Sequence, residues 1–291
     1  LRRHLPEIID SFEPDFIFHL AAQSLVKKSY QFPSLTWETN ALGTLNLLES
    51  LRLFKKKCTV ILITSDKVYK NIEIKKGYKE HDELGGIDFY SSSKASAELV
   101  INSYIKSFFP KNSKIKIGIA RAGNVIGGGD WSPDRLIPDC IKSWSINKKA
   151  IIRSPNSTRP WQHVLEALGG YLLFAFKLNK NNKLHGEAFN FGPNQKLNYK
   201  VIELLKISKK SWKKVSWKIT NNKKKNKHYE STLLKLNSNK ALNILKWRTV
   251  LTFKQSLNLV INWYKSFYKN KKPISIEQIK YYEKIIRQNL K

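Results

Sequence analysis

Short runs of apolar, β-branched residues alternate with longer amphipathic stretches through the first half of the chain, the pattern of a parallel sheet with crossover helices. Strands are expected at Asp15 to Ala21, Thr59 to Ser65 and Lys116 to Arg121. Between them, Ser34 to Phe54 carries Leu42, Leu45, Leu48 and Leu51 at helical spacing, and Tyr90 to Phe109 carries Ala97, Val100, Ile101 and Tyr104 in the same way. From about Gly127 the regularity gives way to Gly-, Pro- and Trp-rich loops, GGGDWSPDRLIPD and RSPNSTRPWQHV, with a helix expected at Val164 to Leu178. Loops after the strands of such a sheet are where ligands bind. The tail after Pro273, with Ile276, Ile279, Tyr282, Ile285 and Ile286, fits a terminal amphipathic helix packed on the body or on a partner. The fold class is therefore α/β, a doubly wound parallel sheet with a smaller C-terminal α/β region.

The first segment, LRRHLPEIIDSFEPD, reads as the end of a helix and DFIFHLAA as a buried strand, so the alternation is met in its middle. Methionine is absent from the sequence. Both features predict that roughly two strand-helix units, about 60 residues at ~30 each, belong upstream.

Composition adds a core-forming chain, 291 residues of which 41% are apolar, and a formal charge of +31. That charge is concentrated: residues 196 to 291 hold 25 Lys plus Arg against 4 Asp plus Glu. Lys209, Lys210, Lys213 and Lys214, then Lys223, Lys224, Lys225 and Lys227, are the densest clusters. With no nucleic-acid-binding module beside them, they are expected to decorate solvated faces rather than to mark a nucleic-acid partner. No run has the apolar length of a membrane span and no signal-peptide core is present, so a soluble, cytoplasmic protein is expected. Cys58 and Cys140 stand far apart without ligand-type neighbours, which supports neither a disulfide framework nor a metal site.

The candidate chemistry lies at strand ends. In Tyr90-Ser91-Ser92-Ser93-Lys94 the spacing of four puts phenol and ammonium on one helix face, with Cβ atoms about 5–6 Å apart, so the lysine is expected to lower the tyrosine pKa. Ser65, Asp66 and Lys67 follow a buried strand at its functional edge. Leu20, Ala21 and Ala22 end the first strand with small groups that admit a flat cofactor to the backbone.

HLAAQ, NALGTLNLLE, TSDKVY, YSSSK and RAGNVIGGGDW, in that order, resemble the extended short-chain dehydrogenase/reductase family from Leu1 to about Tyr268. TSDK with STRPWQHV is similar to its branch that dehydrates CDP-glucose. The resemblance implies a Rossmann-like NAD-binding part over 1–125, a mixed substrate-binding region over 126–268 with segments returning to the first part, and a helical tail over 269–291. It implies NAD as cofactor, with Leu20, Ala21, Ala22, Tyr90 and Lys94 against it. Tyr90 would take the proton from the sugar's C4 hydroxyl as hydride leaves, beside Lys94 and Ser65. Asp66 and Lys67 would be the acid and base that eliminate water across C5 and C6, before hydride returns to C6. Asp66 would be kept protonated by burial, and Lys67 would act as base only when neutral. Asn124, Arg135 and Arg159 would bind the nucleotide-sugar substrate, Arg159 by gripping the diphosphate. The long helices at 34–54 and 90–109 imply a homodimer or homotetramer.

His19, His163 and Asn40 are expected to be structural, Asn40 by tying neighbouring strands, while Trp161 is left open between stacking and packing. The glycine-rich turn that receives a cofactor pyrophosphate is not in the sequence, and Gly127 to Gly129 does not replace it, which predicts weak NAD binding by these residues alone. Alternatives left open are another nucleotide-sugar dehydratase, a 4-epimerase, an inactive fragment and a basic nucleic-acid-binding protein.

Overall fold

The computed structural model describes residues 4–74, 76–194, 198–220 and 233–289. The chain runs α1 (Leu5–Phe12), β1 (Phe16–His19), α2 (Val26–Gln31), α3 (Pro33–Trp37), a π-turn (Glu38–Leu42), α4 (Gly43–Leu53), β2 (Cys58–Ile63), a 3-10 turn (Asp66–Val68), α5 (Phe89–Phe108) and β3 (Ile115–Ala122). It continues through β4 (Val125–Ile126), α6 (Leu136–Ser145), β5 (Ala150–Ile152), β6 (Thr158–Arg159), β7 (Gln162–His163), α7 (Val164–Lys180) and β8 (Ala188–Phe191). Then follow β9 (Tyr199–Lys200), α8 (Val201–Ser211), β10 (Trp217–Ile219), a second π-turn (Ala241–Leu245), α9 (Phe253–Asn270) and α10 (Ser275–Asn289).

The main sheet is parallel, in the order β1-β2-β3-β8. Its central strand, CTVILI, is buried at every position but the last, as a strand covered on both faces must be. One face packs Val60 and Leu62 against Leu47, Leu48, Leu51 and Ile101 of α4 and α5. The other packs Ile61 and Ala120 against Tyr171, Phe174 and Leu178 of α7. A separate core joins Ile141 and Trp144 of α6, Leu204 and Leu205 of α8, and Val260 and Tyr264 of α9. Trp161 belongs to that core and stacks on Phe253 at 5.9 Å between ring centroids, so it packs. No helix among the described residues is long and apolar enough to cross a membrane, and no group of metal-ligating side chains is present among them.

Three expectations need correction. The stripe Leu42-Leu45-Leu48-Leu51 is only half buried, with Leu42 50% exposed, and the core face is Thr44, Leu47, Leu48 and Leu51. Steps of three residues drift about 60° around a 3.6-residue helix, and the π-turn shifts the face again. Asn40 does not bridge strands: its side chain donates to Gln23 O (3.0 Å) and Ser93 Oγ (2.9 Å) and accepts from Gln23 N (2.8 Å), tying the loop after β1 to α5. In α10 it is Gln278, Tyr282 and Ile285 that face inward, whereas Ile276 and Ile279 are exposed. Tyr282 Oη donates to buried Glu166 of α7 at 2.8 Å, anchoring the tail on the body. Lys209, Lys210, Lys213 and Lys214 are exposed as expected, and Lys223, Lys224, Lys225 and Lys227 lie outside the described residues.

Under the strand ends lies a buried ion pair. Arg121 of β3 reaches Glu98 of α5 through Nε (2.8 Å to Oε1) and Nη2, and its Nη1 donates to Tyr69 Oη (2.7 Å) and Glu80 O (2.9 Å). Thr64, at the end of β2, donates to Glu98 Oε1 (2.6 Å), and Tyr69 Oη donates to Asn190 Oδ1 of β8 (2.7 Å). Three strand ends are thus knotted to one helix. Arg121→Met, which strands Glu98 as an uncompensated buried charge, is expected to cost about 3–5 kcal/mol in denaturant melts, and Arg121→Met/Glu98→Leu to recover most of it.

Candidate active site

β2 ends at Ile63, and the chain then turns tightly through Ser65 to Val68. Ser65 caps that turn: its Oγ accepts from Lys67 N (3.2 Å) and donates to Asp66 Oδ1 (2.9 Å). Asp66 is thereby folded inward with 6% of its surface exposed. Burial raises its carboxyl above the usual carboxylate range, against the opposing pull of Lys67, the Ser65 hydrogen bond and the Arg159 guanidinium. An acid at this position keeps its proton to higher pH than a solvated aspartate.

The second arm is the start of α5. Asp88 is its N-cap, accepting from Tyr90 N (3.0 Å) and Ser91 N (2.9 Å), a standard answer to the orphan amides of a helix start. This fixes Tyr90 in the first turn, where its phenol hydrogen-bonds with the Ser65 side chain. Lys94 follows one turn later, also buried. The expected lowering of the tyrosine pKa is not found. Burial pushes the Tyr90 phenol up to about 12, Asp66 and Asp88 add to the rise, and only Ser65 and Arg135 oppose it. The same burial lowers Lys94 to about 8, with Glu98, four residues on, opposing. Desolvation penalises both charged forms, and here it outweighs the i,i+4 pairing.

Other residues singled out in the sequence divide by position. Lys67 lines a cleft with Asp88, Ser91, Ile87 and Leu234, directly beside the tyrosine helix. Arg159 sits in β6, near enough for its charge to act on Asp66, and its Nη1 donates to Thr158 O (2.9 Å). Arg135 acts on Tyr90 from the loop before α6, held by Asp130 Oδ2 (3.0 Å) and Ser24 Oγ (2.9 Å). Ser65, Asp66, Lys67, Tyr90, Arg135 and Arg159 therefore converge. Asn124 shapes the turn after β3, with a left-handed φ of 54° and a carbonyl that accepts from Gln162 N (3.2 Å). Leu20 and Ala21 are exposed and Ala22 half-buried where β1 ends, directly after His19, which the Lys94 charge reaches. Gly127 to Gly129 serve packing: a Cβ on Gly128 would collide with the Trp263 indole.

His163 is a buried imidazole and His19 a half-buried one, both lowered to about 4 by desolvation, with the Lys94 charge adding to the fall at His19. His163 Nδ1 accepts from Leu165 N (3.3 Å) and caps α7. Sequence reasoning passed over Asp88, Glu98 and Gly123. The first two had local signals, an N-cap type before an apolar helix and an acid at i+4 from Lys94. Gly123 had none, because what it meets is distant in sequence.

A dinucleotide's nicotinamide end fits the residues present. Lys94 is a buried ammonium with no hydrogen bond to the described residues, Tyr90 stands one turn before it, and the end of β1 leaves its backbone open at Leu20 and Ala21. Fold and cluster together define a short-chain dehydrogenase/reductase of the extended type. The chain belongs to the GDP-mannose 4,6-dehydratase family, whose model matches residues 2–260. It is 42% identical over 265 residues to the CDP-glucose 4,6-dehydratase of Salmonella typhimurium, covering 89% of this chain and 73% of that protein. It is 30% identical over 199 residues to the dTDP-D-glucose 4,6-dehydratase of Dictyostelium discoideum, covering 65% of this chain and 43% of that one. A UDP-glucuronic acid 4-epimerase from Bacillus cereus, solved with UDP-glucuronic acid and NAD, shares the fold with a TM-score of 0.77 at 22% identity, over 91% of this chain and 79% of that one. By family the chain is a nucleotide-sugar dehydratase, a hydro-lyase.

The buried lysine has a thermodynamic signature. Its folded pKa of about 8 lies below its ordinary 10.5, so between these values the unfolded chain binds more protons and stability rises with pH. Lys94→Met is expected to stabilise the chain by up to about 3 kcal/mol at neutral pH, the gain fading between pH 8 and about 10.5 in melts recorded across that range.

Proposed function

We propose that the enzyme is a cytoplasmic NAD-dependent 4,6-dehydratase that converts CDP-glucose to CDP-4-keto-6-deoxyglucose. The observation that carries this reading is the approach of a buried carboxyl, Asp66, to Tyr90 of α5, with the amine of Lys67 in the cleft beside the start of that helix. A simple epimerase needs only the tyrosine-lysine pair, and leaves Asp66 and Lys67 without work. The choice of CDP-glucose is supported by the TSDK and STRPWQHV strings and by the 42% identity to a CDP-glucose 4,6-dehydratase.

NAD, when bound, supplies the acceptor for the C4 hydride and afterwards the hydride for C6. Tyr90 accepts the proton of the C4 hydroxyl, which Ser65 shares as a hydrogen-bond partner. Held up to about 12, the phenol offers little phenolate at neutral pH; Ser65 and Arg135 favour that form, and Lys94, one turn on, holds the nicotinamide ribose. The C4 ketone acidifies the C5 hydrogen. Lys67 removes that proton and returns it to C5 when hydride reaches C6, and Asp66, whose proton burial holds to higher pH, donates to the C6 hydroxyl, which departs as water. Arg159 grips the diphosphate, where a planar guanidinium fork suits two oxygens, and Arg135 contributes to substrate binding from the loop before α6. Asn124 offers its amide to the substrate from the turn after β3.

This reading places the dinucleotide part in 1–125 and most substrate contacts in 126–268, with α7 and β8 returning to the sheet. It also has the chain as a homodimer or homotetramer. Exposed Leu53 of α4 and Leu99 and Phe108 of α5 support that, and sedimentation is expected to give a multiple of 33.8 kDa.

With NAD in large excess, to offset the weak binding expected of these residues, incubation with CDP-, dTDP-, UDP- and GDP-glucose is expected to yield keto-sugar from CDP-glucose first. Lys67→Met is expected to accumulate reduced nicotinamide on the protein without releasing product, and Asp66→Asn to lower turnover on the order of 100-fold or more. Undiminished product from either variant overturns the assignment.

A further inference from the structure

Asp66 presses its carboxyl against the backbone at the end of β3. A Cβ built on Gly123 would collide with its Cγ and Oδ2 and stand 2.8 Å from its Oδ1. The strand end cannot easily retreat. Gln162, 2% exposed, donates from its backbone N to Asn124 O (3.2 Å) and from Nε2 to Phe191 O (2.7 Å), with Gly123 O 3.5 Å from the same Nε2. β4, which begins two residues after Gly123, is also paired in register with β7, Val125 opposite Gln162 and Ile126 opposite His163. The carboxyl has no easy alternative position either, since Ser65 Oγ holds Oδ1 at 2.9 Å.

We propose that Gly123 is a positioning residue for the acid of this site: the space left by its missing side chain seats the Asp66 carboxyl against the end of β3, with Gln162 as the brace that keeps that floor in place. The inference rests on the reading of Asp66 as the acid. A side chain at 123 pushes the carboxyl outward, toward Lys67 on its own turn, Tyr90 on α5 and Arg159 on β6, and toward solvent. An acid displaced in that direction loses its proton at lower pH.

A melting cycle tests the seat without substrate or cofactor. Gly123→Ala is expected to lower Tm by roughly 3–6 °C or to prevent folding. On an Asp66→Ala background, which removes the three atoms nearest to the added Cβ, the same substitution is expected to shift Tm by less than about 1 °C. An equal loss in both backgrounds, a double variant that fails to fold, or no loss in either overturns the proposal. In the holoenzyme, the alkaline limb of the kcat profile is expected to move about one unit to lower pH in Gly123→Ala. A limb that stays in place overturns the positioning role. Failure of the dehydratase reading itself shows separately, as undiminished product from Asp66→Asn.

Discussion

The architecture of the site depends on one buried charge pair. Glu98 projects from α5 one turn beyond Lys94, and Arg121 comes from β3. Thr64 and Tyr69 bring in the two sides of the turn that carries Ser65, Asp66 and Lys67, and Asn190 brings in β8. Neither ion has access to water, so each is satisfied only if helix and strands meet in one arrangement. The pair adds little net energy compared with apolar packing, but a wrong docking of α5 on the sheet would leave two bare charges in the interior. That penalty fixes the distance between the tyrosine helix and the Ser-Asp-Lys turn.

Desolvation governs what the site can do. It raises the pH at which Asp66 gives up its proton, makes the Tyr90 phenol reluctant to ionise, and makes the Lys94 ammonium willing to lose its proton. All three groups are held away from their solution behaviour by the same packing. Such a site is costly in stability, and natural enzymes carry such costs at their functional residues. The C-terminal core contributes by bracing. Trp131 packs among Trp263, Tyr264, Phe267 and Tyr268, Tyr264 Oη donates to Asp130 O (2.7 Å), and Asp130 in turn holds Arg135. Position is thus passed from α9 through the GGGDW loop to the neighbourhood of Tyr90.

The strands at 16–19, 58–63 and 115–122 and the helices at 89–108 and 164–180 were legible because their apolar residues recur at a local period. The residues that the site brings together, Ser65, Asp66 and Tyr90, stand in ordered short strings. Leu42 misled because a π-turn is a backbone event with no apolar signature, and Asn40 because its partners Gln23 and Ser93 lie in a loop and a helix. The lysine at i+4 suggested an easily ionised Tyr90, since a spacing reports a neighbour and says nothing about how much water the fold removes.

The sequence by itself determined the α/β class, the order of strands and helices, and the residue types available for proton transfer, because these follow from periodicity and from chemistry within a few positions. Tertiary structure alone decided which side chains meet and how far each is buried. Gly123 beneath Asp66, and Glu98 against Arg121, are contacts across 57 and 23 positions of chain. Protonation follows solvent exclusion summed over all surrounding elements, a property that no local stretch of sequence carries.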